Sequence, residues 1–268
     1  LLRDDLSVQL PSRKRKMGVN QIMIHQSGVH RVDSTVKILS KKGLSVHFTV
    51  SLDGKVRQHV ALDEVAFHAK IAPGEQNTRT IGIEMVNRYK PDKAKYSVGN
   101  QPIIDNCIFT RGYGKGSSGK ILNPAAYRGT AGIVRMPTQA ACEAAWQLCK
   151  WLPTQISTLK LAFPGLTSKG FLWTGGNTYH PEKRYDDGIT SHGRSIGSRW
   201  DGLFTEHYMV CRSLGSNPST AFKRTIAAAS SRNPGMKGNK HYTNFHKGGT
   251  YLVRYFAWKG RNVKTFEA

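Results

Sequence analysis

Two short apolar runs limit the folds open to this chain: Asn20–His25 (N-Q-I-M-I-H) and Thr80–Val86 (T-I-G-I-E-M-V). Both read as buried strands. His25 stands at the end of the first, and Glu84 sits among the apolar residues of the second. Between them, Val46–Val50, an Asp53-Gly54 turn and Lys55–Val60 make the clearest hairpin signal in the chain. Val65–Ala69 reads as a further short strand. Helical segments alternate with these strands. Asp33 is placed to cap a helix running to Lys42, with Gly43 as its stop. Thr138–Leu152 reads as a helix with Pro137 beside its start and Pro153 ending it. Its apolar residues Ala141, Ala144, Ala145, Leu148 and Leu152 keep helical spacing. The pattern predicts an α/β fold, a mixed central sheet flanked by helices.

The 268 residues suffice for one large domain with appendages. Leu1–Gly18 reads as a basic arm. Asn87–Arg135 is polar, Gly-rich and weakly patterned, and reads as a long insertion with some strand content. From 205 to 268 the chain reads as a basic extension, with a helix expected at Pro218–Ser230 and a strand at Tyr251–Trp258. The net charge of +23 attracts polyanions: nucleic acid, an anionic membrane or an acidic wall polymer. Cys107, Cys142, Cys149 and Cys211 form no C-x-x-C pair and are expected as free thiols, with Cys142 and Cys149 on one helix face. No apolar run is long enough for a membrane span, and the first twenty residues carry no signal-peptide core.

The stretch Thr190–Gly202 (T-S-H-G-R-S-I-G-S-R-W-D-G) holds His192, Arg199 and Asp201 in a loop leaving a strand. Zn²⁺ accepts imidazole and carboxylate ligands, and a catalytic zinc takes three protein ligands with one position open. His25 is the candidate for the third. Taken alone, a His and an Asp in a Gly-rich loop are more often a hydrogen-bonded surface loop than a metal site. Asp186 and Asp187 are weaker competitors for the carboxylate position. The H-E-x-x-H pair of many metallopeptidases is absent from the sequence.

Several blocks occur in order: I-M-I-H ending at His25, S-V-H-F-T-V-S-L-D-G-K-V-R-Q-H-V at 45–60, A-F-H-A-K at 66–70, N-T-R-T-I-G-I-E at 77–84, then S-H and S-R-W-D-G at 198–202. Together they resemble the zinc-dependent N-acetylmuramoyl-L-alanine amidases of the type 2 family, whose fold is shared by phage endolysins and peptidoglycan-recognition proteins. The resemblance implies an amidase domain over 19–204, flanked by the arm (1–18) and the extension (205–268). It implies Zn²⁺ held by His25, His192 and Asp201, with Glu84 as the acid/base carboxylate. Arg199 stands where many members carry an oxyanion-stabilising Lys, and Val46 where other branches carry a catalytic Tyr. Gly202 stands where a Pro usually follows the acidic ligand. His47, His68 and Asn77 are expected to line the substrate groove; structural roles are the alternative for each.

The expected activity is hydrolysis of the amide between N-acetylmuramic acid and L-alanine, acting on the bacterial cell wall. The expected partner is anionic peptidoglycan, with proteins of a virion or wall-associated assembly as further candidates. Two rival readings remain at this stage. One is a non-catalytic peptidoglycan-binding module on the same fold. The other is a basic virion or nucleic-acid-binding protein, disfavoured because no zinc-finger or RNP-type motif accompanies the charge.

Overall fold

The computed structural model describes residues 10–29, 31–69, 75–87, 107–109, 133–135, 137–163, 166–167, 170–171, 187–192 and 201–230. In chain order the first elements are β1 (Ser12–Lys14), β2 (Gln21–Gln26), α1 (Val32–Lys41), β3 (Phe48–Val50), β4 (Val56–Gln58) and β5 (Glu64–Ala66). Next come α2 (Glu75–Arg79), β6 (Thr80–Met85), β7 (Cys107–Phe109), β8 (Ile133–Arg135) and α3 (Gln139–Gln155). The last are β9 (Leu166–Thr167), β10 (Gly170–Phe171), β11 (Gly188–Ser191), α4 (Leu203–Ser213) and α5 (Pro218–Ser230).

Five strands form the central sheet in the order β11-β2-β6-β3-β4. β11, β2, β6 and β3 run parallel, and β4 returns antiparallel to β3 through the expected hairpin, where Gly54 takes a φ of +83°. The fold is therefore α/β with a mixed sheet. One face of the sheet carries Ile22, Ile24, Phe48, Val50, Ile81, Ile83, Met85 and Ile189. All are buried against α3 and α4 through Ala145, Leu148, Cys149, Leu152, Tyr208, Met209 and Val210. A smaller cluster of Leu10, Val36, Val60 and Ala66 lies beneath α1. Cys142, Cys149 and Cys211 are buried free thiols.

Helix ends follow local chemistry. Thr138 Oγ1 accepts from the Ala141 N–H at 3.0 Å and caps α3. Pro153 does not end this helix, as expected from sequence, but lies inside it. A proline lacks one N–H, and within the last turn the helix still closes through Ile156 N–H onto Leu152 O at 2.9 Å.

Two expected boundaries are corrected. Residues 10–18 are not a free arm: Ser12–Lys14 pairs with β5, and Leu10 is buried. The guanidinium of Arg15 donates to Glu64 O (2.6 Å) and to Thr78 O. This strand is held by backbone pairing and by one cation on carbonyl oxygens, so it leaves no apolar signature in the sequence. The second correction concerns residue 205 as the start of an extension. α4 belongs to the core, with Tyr208, Met209, Val210 and Cys211 at 0% exposure. Thr205, Glu206 and His207 are buried as well, so the helix is enclosed nearly all round and lacks an amphipathic stripe. α5 matches the expected Pro218–Ser230 helix, and its Ala221 joins the same core. The expected strand at Tyr251–Trp258 and most of the expected insertion lie outside the described residues. From the insertion, β7 and β8 are seen as an antiparallel pair. No helix among the described residues is long and apolar enough to cross a membrane.

Candidate metal and catalytic site

Residues level with one another on neighbouring strands point to the same face of a sheet. His25 is level with Glu84, and Glu84 with Thr49. Ser191 is level with Ile24, so the next residue, His192, arrives beside His25. The face opposite the apolar core therefore carries an imidazole, a carboxylate and a second imidazole at the carboxyl ends of parallel strands. Open α/β sheets gather their ligands at such ends.

Asp201 reaches this point from beyond β11. Its Oδ2 lies 2.7 Å from His192 Nδ1 and 3.8 Å from His25 Nδ1, and its Oδ1 accepts from the Gln26 N–H at 2.5 Å. One ligand atom from each of His25, His192 and Asp201 lies within 4.8 Å of the others. Tetrahedral metal–ligand bonds of about 2.0–2.1 Å place neighbouring ligand atoms roughly 3.3 Å apart, a spacing these contacts bracket. Two imidazoles and a carboxylate form a donor set suited to a divalent N/O site.

Gly202 explains how the carboxylate gets so close. Its φ is +75°, and a Cβ there would fall 2.0 Å from Ile24 O. A side chain is excluded by the backbone of β2. A proline, fixed near −65°, could not adopt this conformation. The glycine at this position thus has a steric cause.

Electrostatics separates the two carboxylates. Burial, and then the charge of Asp201, raises the Glu84 pKa well above the usual carboxylate range. Asp201 is also pushed up by burial, but the 2.7 Å hydrogen bond with His192 and the nearby His25 ring outweigh that and hold it low. The two carboxylates thus differ in proton affinity, high at Glu84 and low at Asp201, the arrangement found where acid/base and charge-holding roles are divided. Burial, then the charge on His192, lowers the His25 pKa and keeps its ring available as a neutral donor.

Of the three residues expected in the groove, His47 and His68 are buried and Asn77 is half-buried. His47 is fully buried; its Nδ1 accepts from the Gly82 N–H at 3.0 Å, and its Nε2 lies 3.1 Å from Glu64 O. Both of its ring nitrogens therefore serve the backbone. His68 Nδ1 lies 3.0 Å from His25 Nε2, and its Nε2 lies 3.0 Å from Thr80 Oγ1. Asn77 Oδ1 accepts from the His68 and Ala69 N–H groups at 3.1 and 2.7 Å. Arg199 and Asp186 lie outside the described residues. Asp187 is taken up by Asn20 (2.8 Å) and Lys160 (3.4 Å). Sequence reading missed Glu206, whose Oε2 accepts from the N–H and Oγ of Ser191 at 3.1 and 2.6 Å and so braces the residue before His192. An acidic residue in the first turn of α4 was its only signal.

A family model described as N-acetylmuramoyl-L-alanine amidase matches residues 14–160, more than half of the chain. The chain belongs to this amidase family. The match takes in His25 and Glu84; His192 and Asp201 lie beyond it and join the site through the fold. No curated protein matches the amidase chain. Among solved structures, it is similar to the N-acetylmuramoyl-L-alanine amidase LysC from Clostridium intestinale URNW. The identity is 15%, covering 57% of this chain and 74% of that one, with a TM-score of 0.35. It is also similar to the amidase AmiD from E. coli (14% identity, 91% and 93% coverage, TM-score 0.37). A third likeness is to the Drosophila peptidoglycan recognition protein SA (14% identity, 55% and 66% coverage, TM-score 0.31). Membership in the family assigns the amidase to hydrolysis of amide bonds in peptidoglycan.

Proposed function

We propose that this chain is a zinc-dependent hydrolase of the amide between the lactyl group of N-acetylmuramic acid and L-alanine, and that its activity lyses bacterial cell wall. The observation carrying this reading is the convergence of His25, His192 and Asp201 beside Glu84, whose proton affinity burial raises, at the ends of parallel strands. A bound Zn²⁺ would supply Lewis acidity toward the amide oxygen and acidify a water molecule to a pKa of about 7.

The chain's own residues perform the rest. His25 and His192 bind through neutral ring nitrogens, and Asp201 contributes the negative charge. Glu84 takes a proton from the attacking water and passes it to the leaving amine, which its raised pKa suits it to do. Arg199, a permanent cation, stabilises the charge developing on the amide oxygen. The net charge of +23 supports docking on the anionic wall, where partners of a wall-associated or virion assembly would also be met.

The test is mass spectrometry of purified peptidoglycan digested by wild type and by His192→Ala, each with zinc and with a chelator. The expected result is release of intact stem peptides with a free L-alanine amino group by zinc-loaded wild type alone. Binding of peptidoglycan without cleavage would instead favour a recognition module on the same fold.

A further inference from the structure

The motif residues around Thr80 that take no part in acid/base work converge on one ring, His68. Asn77 fixes its backbone N–H. Gly82 leaves room for the ring, since a Cβ there would fall 2.6 Å from two of its carbons. Thr80 meets its Nε2 at 3.0 Å, and its Nδ1 meets His25 Nε2 at 3.0 Å.

The direction of each hydrogen bond follows from the one before it. Thr80 Oγ1 lies 2.8 Å from Gln76 O, and a carbonyl oxygen only accepts, so the single hydroxyl proton points there. Toward His68 the hydroxyl is then an acceptor, which requires the proton of His68 on Nε2. In the neutral ring Nδ1 is left with a lone pair, and only a proton on His25 Nε2 can fill the 3.0 Å contact. His25 Nδ1 is left unprotonated, 3.8 Å from Asp201 Oδ2. The other tautomer of His25 would set two lone pairs against each other at Nε2.

We propose that Thr80 and His68 are positioning residues, forming a hydrogen-bond chain from Gln76 O that locks His25 in the Nε2–H tautomer and aims its Nδ1 lone pair at Asp201 and His192. The purpose of this lock rests on the metal-site reading above; the lock itself is a property of the metal-free chain. Groups that orient a ligating imidazole in this way alter metal affinity about 10–100-fold when removed.

The test begins with ¹⁵N imidazole spectra of the metal-free wild-type chain, which should show the proton of His25 on Nε2. Thr80→Val removes the hydroxyl acceptor with little change of shape, and should return His25 to a mixture of tautomers and weaken zinc binding several-fold. His68→Leu should weaken zinc binding about 10–100-fold in competition with a chromophoric chelator. His68→Asn, which keeps an acceptor oxygen near the Nδ1 position, should recover most of the loss. A merely structural His68 would leave the His25 tautomer unmoved by Thr80→Val. The proposal is overturned by a proton on His25 Nδ1 in wild type, or by zinc affinities of both variants within twofold of wild type. If His68→Leu does not fold, the wild-type spectrum and Thr80→Val carry the test. Wild type that binds no zinc would overturn the proposed function, while the tautomer still decides this inference.

Discussion

His25 and Glu84 are register partners on adjacent parallel strands, and both side chains stand on the face away from the apolar core. Their nearness is therefore set by strand pairing rather than by a loop, and it keeps the distance between the imidazole and the carboxylate rigid. Burial raises the proton affinity of Glu84, and the neighbouring anion of Asp201 raises it further.

Glu84→Gln retains shape and removes only the proton-transfer function. Turnover of purified peptidoglycan should fall by about 10²–10⁴, the usual worth of a positioned general base. Zinc stoichiometry should stay at the wild-type value. Normal turnover in this variant would remove Glu84 from the chemistry.

Gly202→Ala should destabilise the metal-free protein by roughly 1–3 kcal/mol, the cost of forcing a side chain into a left-handed conformation. The contact with Ile24 O adds to this and displaces Asp201, so zinc affinity should fall as well. Urea unfolding and chelator competition measure the two effects. An unchanged urea midpoint would contradict the close approach described here.

A chain ending at residue 204 should not fold cooperatively. It would lose Tyr208, Met209 and Val210, whose burial contributes roughly 1.5–3 kcal/mol each. Their sum of roughly 5–9 kcal/mol is comparable with the whole stability of a typical domain. A sigmoidal urea transition for the truncated chain, followed by circular dichroism, would show that α4 is dispensable.

Stability of the metal-free protein should fall as pH drops below 6.5. Burial pushes the pKa of His47 and of His207 down from 6.5 to about 3, with the charges of Arg15 and Arg224 adding to the effect. Between those values the unfolded chain binds protons that the folded chain refuses, so each histidine opposes folding increasingly as pH falls. At pH 5 the loss should be about 2 kcal/mol per histidine, levelling off below about pH 3. Urea midpoints at pH 7.5 and 5.0 read the slope, and His207→Asn should flatten it. An equal midpoint at both pH values would mean these rings are not buried neutral.

Sequence patterning located β2, β6, the β3–β4 hairpin, α3 and α5, because each carries a local signal: an apolar run, an Asp-Gly turn, a proline at a helix start or helical spacing. It also singled out His25, His192 and Asp201 as candidate ligands of a dication, and Glu84 as a candidate acid/base carboxylate. For His47, His68 and Asn77 it left groove-lining and structural roles both open. Nothing in a one-dimensional string says whether a histidine faces a groove or a backbone amide. β1 and α4 were missed for related reasons: the first is held by carbonyl contacts of Arg15, and the second is buried on all sides.

The sequence by itself determined which chemistry the chain can perform, since ligand type, a strand carboxylate and a glycine after Asp201 are properties of residues in order. Only the tertiary structure decided that these groups meet. His25 and Asp201 are 176 positions apart. Their contact depends on the parallel pairing of β11 with β2 and on a left-handed turn at Gly202. Strand register and backbone hand are long-range outcomes of packing, and no local run of residues encodes them.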